Sequence, residues 1–140
     1  LYYVLSGSVR IFIIDEEEEQ TIRFAYKDSF FVSLDSFIKE QPSILYRQAI
    51  KKTELLVLNK NRLMQFIESS EENIRLWQKI FEELIYQQFE REIDILTSSP
   101  LERYKRVLKR SPNLFQQVPH KYIASYLRMT PETLSRLKKS

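Results

Sequence analysis

In the middle of this chain, no proline or glycine interrupts the stretch between Ser69 and Leu96. Ser69 or Ser70 can cap its amino end, because a serine hydroxyl accepts a hydrogen bond from an unpaired backbone amide of the first turn. Glu71 and Glu72 follow in that turn, where the helix dipole favours acidic side chains. The stretch therefore predicts one long helix, with a different kind of sequence on either side of it.

Apolar side chains recur along this helix at alternating spacings of three and four residues, as in the seam of a coiled coil. The seam consists of Ile74, Trp77, Phe81, Leu84 and Gln88. We expect this seam to form the interface of a homodimer, with the polar Gln88 fixing the register. The alternative is that the stripe packs only inside its own chain.

The segment before the helix has the alternation of a β-structure. Val9, Ile11 and Ile13 alternate with other residues along one strand, and a charged tip at 15–19 leads into a returning strand. We interpret that tip as a solvated turn and not as a cation site, since it lacks the glycine and spacing of a calcium loop. Further short strands are predicted at 46–50 and 54–58. Together they indicate a small antiparallel sandwich or barrel. A short helix follows, and its cap is predicted at Asn61.

Several classes of chemistry are excluded by composition. The chain has no cysteine, one histidine (His120) and one glycine (Gly7). Thiolate metal sites, disulfides, multi-histidine metal centres and glycine-rich phosphate loops therefore cannot form within it. No nucleophile–base pair is visible, so we expect neither an enzyme nor a bound metal. No apolar run is long enough to span a bilayer, and we expect a cytoplasmic protein without a membrane partner.

Charge is unevenly placed along the chain. Residues 1–100 carry 12 basic and 17 acidic side chains, for a net charge of −5, whereas residues 101–140 carry 10 basic and 2 acidic ones, for a net charge of +8. A short segment at +8 attracts polyanions such as nucleic acids. Because this segment also has a helical apolar pattern, it predicts a folded basic module and not a solubilising tail.

The basic module ends in a helix-turn-helix pattern. One short helix is predicted from Pro119 to Tyr126, and a second begins after Thr130, which can act as its cap, with Pro131 in the first turn. Small Ala124 permits close approach of the two helices. An earlier helix is predicted to start at Pro100.

The exposed positions of the second helix predict contacts with DNA bases, because the second helix of such a motif lies in the major groove. The predicted base-reading residues are Glu132, Thr133, Ser135 and Arg136. Predicted phosphate contacts come from His120, Lys121, Arg128, Lys138 and Lys139. The partner expected from this pattern is double-stranded DNA.

Two segments carry a resemblance to a known family. The opening LYYVLSGSVRIFIIDEEEEQ resembles β-roll strands of the CRP/FNR transcriptional regulators, and MTPETLSR at 129–136 is similar to their recognition unit. The resemblance implies an α+β protein: a β-roll (jelly-roll-like) sensor domain like that of cyclic-nucleotide-binding proteins, a long dimerisation helix and a winged helix-turn-helix. It also implies a palindromic operator and RNA polymerase as a further partner. Pro131 stands where the family often has arginine.

The resemblance divides the chain into 1–68 (sensor domain), 69–98 (dimerisation helix) and 99–140 (DNA-binding domain). We expect both natural ends to lie outside this sequence, including the wing after Ser140.

The sensor site departs from the members that bind cyclic AMP. Those members hold the ribose with a Gly-Glu pair and the cyclic phosphate with an Arg-Ser pair. Val32-Ser33 and Ser43-Ile44 stand at these places here. This disfavours ordinary cyclic AMP binding, and no cofactor is identified. The candidate effector pocket is Val32, Ser33 and Arg47, where Arg47 is a possible substitute for the missing arginine. The sequence thus predicts a dimeric DNA-binding transcriptional regulator controlled by an unidentified effector. The alternative is a ligand-sensing or protein-interaction module that does not bind DNA.

Overall fold

The computed structural model describes residues 1–139. In this range six strands form two three-stranded antiparallel sheets, with strand orders β4-β1-β6 and β3-β2-β5. The strands are β1 (Tyr2–Ser6), β2 (Ser8–Asp15), β3 (Glu18–Tyr26), β4 (Phe30–Phe31), β5 (Tyr46–Ala49) and β6 (Glu54–Val57). The predicted α+β fold with an antiparallel β-roll is confirmed.

Seven helices complete the described part of the chain. They are α1 (Leu34–Lys39), α2 (Lys60–Glu68), α3 (Glu71–Leu96), α4 (Pro100–Arg110), α5 (Leu114–Gln117), α6 (His120–Tyr126) and α7 (Pro131–Leu137). None of them, within residues 1–139, combines the length and apolar character that a bilayer-spanning segment needs. Ser140, the last residue of the predicted third domain, lies outside the described residues.

The caps decide where the helices begin. Ser70 caps α3 by accepting a bond from the amide of Asn73 at 3.1 Å. The predicted cap of α2 at Asn61 is wrong: the side chain of Asn59 accepts from the amide of Arg62 at 2.9 Å, so α2 starts earlier. The predicted start of α4 at Pro100 is confirmed.

Two short helices were not expected from the sequence. The apolar run after Phe30 leaves its strand after only two residues, and α1 follows it. A single-turn helix, α5, lies between α4 and α6. α1 has six residues and α5 has four, which is too short to display a repeating apolar face, and neither has a side-chain cap that would mark its start.

The turn between β1 and β2 needs its glycine. Gly7 has a φ of +89°, and a Cβ atom added there would lie 2.4 Å from the carbonyl oxygen of Lys52. Other residue types rarely adopt this backbone conformation, and a side chain has no room. The single glycine of the chain therefore lies where conformation and packing both require it.

Strand β2 is buried on both faces. Val9 and Ile11 belong to the core of the β-roll, where they pack with Val4 and other apolar side chains. Ser8, Arg10 and Phe12 are on the opposite face and are also buried, at 0%, 2% and 7% exposure. Alternation of this kind is typical of a strand with one solvent-exposed face. That face is covered because α6 packs against the β2–β3 sheet.

Candidate nucleic-acid interface

The helix-turn-helix is held together by an apolar core between α6 and α7. Ile123, Ala124, Leu127 and Leu134 are at most 1% exposed. Because alanine is small, α6 leaves room for the turn, and the amide of Met129 donates to the carbonyl of Ala124 at 3.0 Å. The orientation of α7 relative to α6 is therefore set by buried contacts.

The turn between the two helices contains a strained residue. Arg128 has a φ of +53°, a left-handed conformation that costs a non-glycine residue about 1–2 kcal/mol. Its side chain is exposed. An arginine at this position therefore destabilises the backbone locally and places a positive charge beside α7.

Arg103 of α4 stabilises the same turn. This role was not predicted from the sequence. Its guanidinium donates to the carbonyl of Leu127 at 2.9 Å and to that of Arg128 at 3.3 Å. It also donates to the carbonyl of Thr97 at 2.6 Å, beyond the end of α3. One side chain thus ties the long helix to the turn. A basic residue in a basic segment gave no signal that would separate it from the others.

The amino end of α7 is capped as predicted. The hydroxyl of Thr130 accepts from the amide of Thr133 at 3.2 Å, and Pro131 follows the cap. Among the four predicted base-reading residues, Glu132, Ser135 and Arg136 are exposed, whereas Thr133 is half-buried. Arg136 donates to the hydroxyl of Thr133 at 3.3 Å. The structure therefore places the four residues together on α7, and their contacts with bases stay a prediction.

The predicted phosphate-binding residues surround the same helix pair. Lys121, Arg128, Lys138 and Lys139 are exposed. His120 is half-buried, and its Nε2 receives a hydrogen bond from the ammonium of Lys138. Burial, and then the nearby Lys138 charge, lower the pKa of His120 below its ordinary value of 6.5. His120 is therefore mainly neutral at pH 7 in the free protein and differs from the four permanent cations.

Helix α6 is docked on the sensor sheet through polar contacts that the sequence did not reveal. The guanidinium of Arg10 lies between two rings, 4.4 Å from the centroid of Phe12 and 4.6 Å from that of Tyr122. It donates to the hydroxyl of Thr21 at 2.8 Å and forms an ion pair with Glu19. A buried charge that is both stacked and paired specifies how two surfaces meet.

Ser125 adds a second polar contact across this junction. Its hydroxyl accepts from the amide of Thr21 at 3.2 Å and lies 3.0 Å from the Thr21 hydroxyl. Ser125 of α6 thus bonds the backbone of strand β3. The helix-turn-helix and the β-roll consequently share one interface.

Helix α3 joins α4 through a buried carboxylate. Asp94 is fully buried and pairs with Arg106, at 3.0 Å, and with Arg110. Glu90, one turn earlier, accepts from the same two arginines at 3.2 and 3.1 Å. Asp94 shares the buried face of α3 with Leu84 and the charged Arg91, so no break in an apolar pattern marks it in the sequence. Since each charge has a partner, losing one would leave the others uncompensated.

The predicted dimer seam is divided between two surfaces. Leu84 is 3% exposed and packs within its own chain, and Trp77 is half-buried between the rings of Phe37 and Phe81. Ile74 and Gln88 are exposed. In this structure, therefore, Leu84 does not face a possible partner.

A different set of apolar side chains of α3 is exposed. Ile85 and Phe89, one turn apart, are 52% and 55% exposed, and Ile74 continues the line at 40%. We call Ile74, Phe81, Ile85 and Phe89 the α3 stripe. Phe81 is half-buried, and Ile74 and Phe81 also belong to the predicted seam. The stripe contains Ile85 and Phe89 where the predicted seam has Leu84 and Gln88. The reason is that Leu84 packs in the core of its own chain.

The three predicted effector-pocket residues do line one cleft. Val32, Ser33 and Arg47 border an open cavity of about 530 Å³ beside α1 and α2. Arg47 donates to the hydroxyl of Tyr2 at 3.0 Å and its guanidinium lies 5.4 Å from the centre of that ring. A role of Arg47 in ligand binding stays a prediction.

The positions expected to cradle a cyclic phosphate already hold a carboxylate. Asp35 accepts from the hydroxyl of Ser43 at 3.0 Å and from the amide of Ile44 at 3.0 Å. Burial alone would raise the pKa of Asp35, but the hydrogen bonds from Ser36, Ile44 and Ser43 outweigh it and lower the pKa. Asp35 is thus a charged carboxylate that already accepts from Ser43 and Ile44, the two donors that a phosphate would need.

Comparison with known proteins agrees with this architecture. Residues 1–70 match the cyclic nucleotide-binding domain family, and among curated proteins no sequence matches the chain. FixK2 from Bradyrhizobium japonicum has a similar structure, with 18% identity, a TM-score of 0.78, and 99% of this chain and 72% of that one covered.

Two further solved structures are similar. A CooA variant from Carboxydothermus hydrogenoformans is 17% identical with a TM-score of 0.73, over 99% of this chain and 65% of that one. A CRP/FNR-family transcriptional regulator from Thermus thermophilus is 19% identical with a TM-score of 0.67, over 97% of this chain and 71% of that one. The chain therefore belongs to the cyclic nucleotide-binding domain family and has the fold of the CRP/FNR transcriptional regulators.

Proposed function

We propose that the protein is a dimeric, sequence-specific DNA-binding transcriptional regulator and not an enzyme. The observation that carries the proposal is the capped helix α7, with Glu132, Ser135 and Arg136 exposed on a buried helix-turn-helix core. An arginine can bond two acceptors of guanine, and a glutamate can accept from the amino group of cytosine. A regulator of this kind would act in the cytoplasm, with RNA polymerase as the partner through which bound protein affects transcription.

The module around α7 has the charge that DNA binding requires. Lys121, Arg128, Lys138 and Lys139 are exposed on and around the helix pair, and they release counterions when they contact phosphates. This part of the binding energy is salt-sensitive and independent of base sequence. Specificity must therefore come from α7, and affinity from the lysines and Arg128.

We test the recognition helix with a selected duplex library and fluorescence anisotropy over a salt series. Arg136→Ala should cost about 1–3 kcal/mol on the preferred duplex and relax the preference at one base pair. Lys139→Ala should weaken all duplexes alike and reduce the salt dependence by about one counterion. Arg75→Ala, which removes an exposed arginine of α3, is the matched control and should leave binding unchanged.

Two outcomes would contradict this assignment. Binding to all duplexes alike, unaffected by Arg136→Ala, would mean that α7 does not read bases. Stabilisation by a small molecule with no duplex affinity at low salt would favour a ligand-sensing or protein-interaction module.

We further propose that the α3 stripe, in place of the predicted seam, is the dimer interface. Exposed apolar side chains in a line along one helix face are stabilised when a second helix covers them. Ile85→Asp should convert a dimer into a monomer in analytical ultracentrifugation, because a carboxylate there would be buried without a partner. Tyr86→Asp, at an exposed aromatic on another face of α3, is the control and should remain dimeric. A dimer that survives Ile85→Asp would contradict the stripe.

We propose that the effector is not ordinary cyclic AMP, because Asp35 occupies the donors of Ser43 and Ile44. A cyclic phosphate would have to displace this carboxylate and would meet its negative charge. Calorimetric titration with cyclic AMP should give no binding to the natural chain. Tight binding would contradict the proposal.

A further inference from the structure

A second cavity lies between the sensor sheet, the long helix and the DNA-binding module. It has a volume of about 540 Å³ and is separate from the cleft of Val32, Ser33 and Arg47. Its apolar walls include Phe24 of β3, Leu84 of α3 and Leu114 of α5, and Tyr126 of α6 closes one side. Cavities of this size and character accommodate metabolite-sized ligands.

Arg91, which lines this cavity, also has an unsatisfied donor. Its side chain is 6% exposed, and it donates to the carbonyls of Ile22 and Thr21, each at 3.1 Å. The guanidinium lies 4.0 Å from the centre of the Tyr126 ring. Its third nitrogen, Nη1, is buried and has no hydrogen-bond partner among the described residues. An orphaned donor on a buried cation is costly, so its presence calls for an explanation.

Arg23 of β3 lines the same cavity and is half-buried. Within residues 1–139 its guanidinium has no hydrogen bond and no ion pair. Burial lowers its pKa below the ordinary arginine value. Arginine nevertheless remains charged in proteins, and a partly desolvated charge requires a counter-charge.

The carboxylates around the cavity are already engaged. Glu90 accepts from Arg106 and Arg110. Glu83 accepts from the side-chain amide of Gln87, and Asp28 accepts from the hydroxyl of Tyr3. None of these hydrogen bonds comes from Arg23 or Arg91. The charge of Asp94 acts on Arg91, but within residues 1–139 these carboxylates bond neither guanidinium.

We propose that this cavity binds a small organic anion, held through a phosphate or carboxylate group by Arg23 and Arg91. Guanidinium groups bond both kinds of anion in a bidentate manner. The apolar walls would contact the rest of the ligand. Since β3 and α6 both border the cavity, a bound anion would favour the arrangement in which the DNA-binding module lies on the sensor sheet. The site itself can be tested without DNA.

The test uses the full chain with inorganic phosphate, citrate and chloride at matched ionic strength. Binding is followed by calorimetry and by the side-chain Nε–H signals of arginine in NMR. We expect phosphate or citrate to shift the signals of Arg23 and Arg91, whereas chloride leaves them in place. Preference for phosphate would identify a phosphorylated ligand, and preference for citrate a carboxylic acid.

Arg23→Gln is the main variant, because the Arg23 guanidinium makes no hydrogen bond or ion pair within residues 1–139 and its loss should leave the fold intact. It should weaken binding of the preferred anion by at least about tenfold. Arg75→Gln removes the same charge from an exposed site of α3, and Arg47→Gln removes it from the other cleft. Both should bind the anion like the natural chain.

Three results would overturn the proposal. The first is no anion binding beyond that of chloride. The second is an equal loss in Arg75→Gln, which would mean a general charge effect. The third is a loss in Arg47→Gln with none in Arg23→Gln, which would place the anion in the other cleft. None of these results depends on whether the protein binds DNA.

Discussion

Individual polar residues hold the helix-turn-helix module in place. Arg10 and Arg91 are nearly inaccessible, and each combines ring stacking with hydrogen bonds to the sensor strands. Arg103 bonds four carbonyls, of which those of Leu127 and Arg128 belong to the helix-turn-helix turn. Of the ten basic residues at 101–140, Arg103, Arg106 and Arg110 therefore bond groups within the protein.

His120 gives the stability a pH dependence whose sign follows from its lowered pKa. The unfolded chain, with an ordinary pKa, binds a proton near pH 6.5, whereas the folded protein resists protonation. The folded state therefore loses stability as the pH falls from about 6.5 through the lower folded pKa. His120→Gln should remove this part of the loss, as measured by urea unfolding of both proteins between about pH 5.5 and 8.

Lys138→Gln is the control for this prediction. It removes the second cause of the shift, the ammonium charge, and keeps the first, burial. It should reduce the pH-dependent difference without abolishing it. A stability difference between the natural chain and His120→Gln that stays constant with pH would contradict the lowered pKa.

Single elements differ in how closely their local sequence agrees with their conformation. Helix α3 has a serine cap and acidic residues in its first turn, and it begins and ends close to its predicted limits. The β2–β3 hairpin is less favourable. Its two-residue turn, Glu16 and Glu17, has φ values of +47° and +68°. Tight hairpins with both residues in this region favour Asn-Gly, which this turn lacks.

The double substitution Glu16→Asn and Glu17→Gly should therefore stabilise the protein. Asparagine and glycine adopt the left-handed conformation at lower cost, so the free energy of unfolding should rise by about 1–2 kcal/mol. Chemical denaturation measures the change. The double variant Glu16→Gln and Glu17→Gln removes the same charges and retains the side chains, so it should show little of the gain. An equal gain in both would attribute the effect to charge repulsion and not to the backbone.

At the scale of the whole molecule, α6 belongs to two structures at once. Ile123 and Leu127 face the helix-turn-helix core, while Tyr122 and Ser125 face the β2–β3 sheet. Any change that separates α6 from this sheet must expose Arg10, a buried charge. The position of α7 is consequently linked to the conformation of the sensor strands.

Ser125→Ala should loosen this junction in a way that hydrogen exchange detects. The amide of Thr21 donates to the Ser125 hydroxyl at 3.2 Å, and it would lose that partner. Since such a bond contributes about 0.5–1.5 kcal/mol, exchange at Thr21 should become about two- to tenfold faster. Ser69→Ala, at an exposed serine before α3, should leave the Thr21 amide unchanged. Unaltered exchange in Ser125→Ala would mean that the junction does not protect this strand.

The sequence by itself determined the local features of this protein: the strands of the β-roll, the long helix, the capped α7 and the exposure of Glu132, Ser135 and Arg136 on it. These depend on periodicity, caps and turn residues, which act over a few neighbouring positions. Only the tertiary structure decided that Leu84 is intrachain core, that Arg10 is buried under Tyr122, and that Arg23 and Arg91 meet at one cavity. These contacts join residues far apart in the chain. The sequence next to a charged residue in a strand or helix does not indicate whether another part of the chain will bury it.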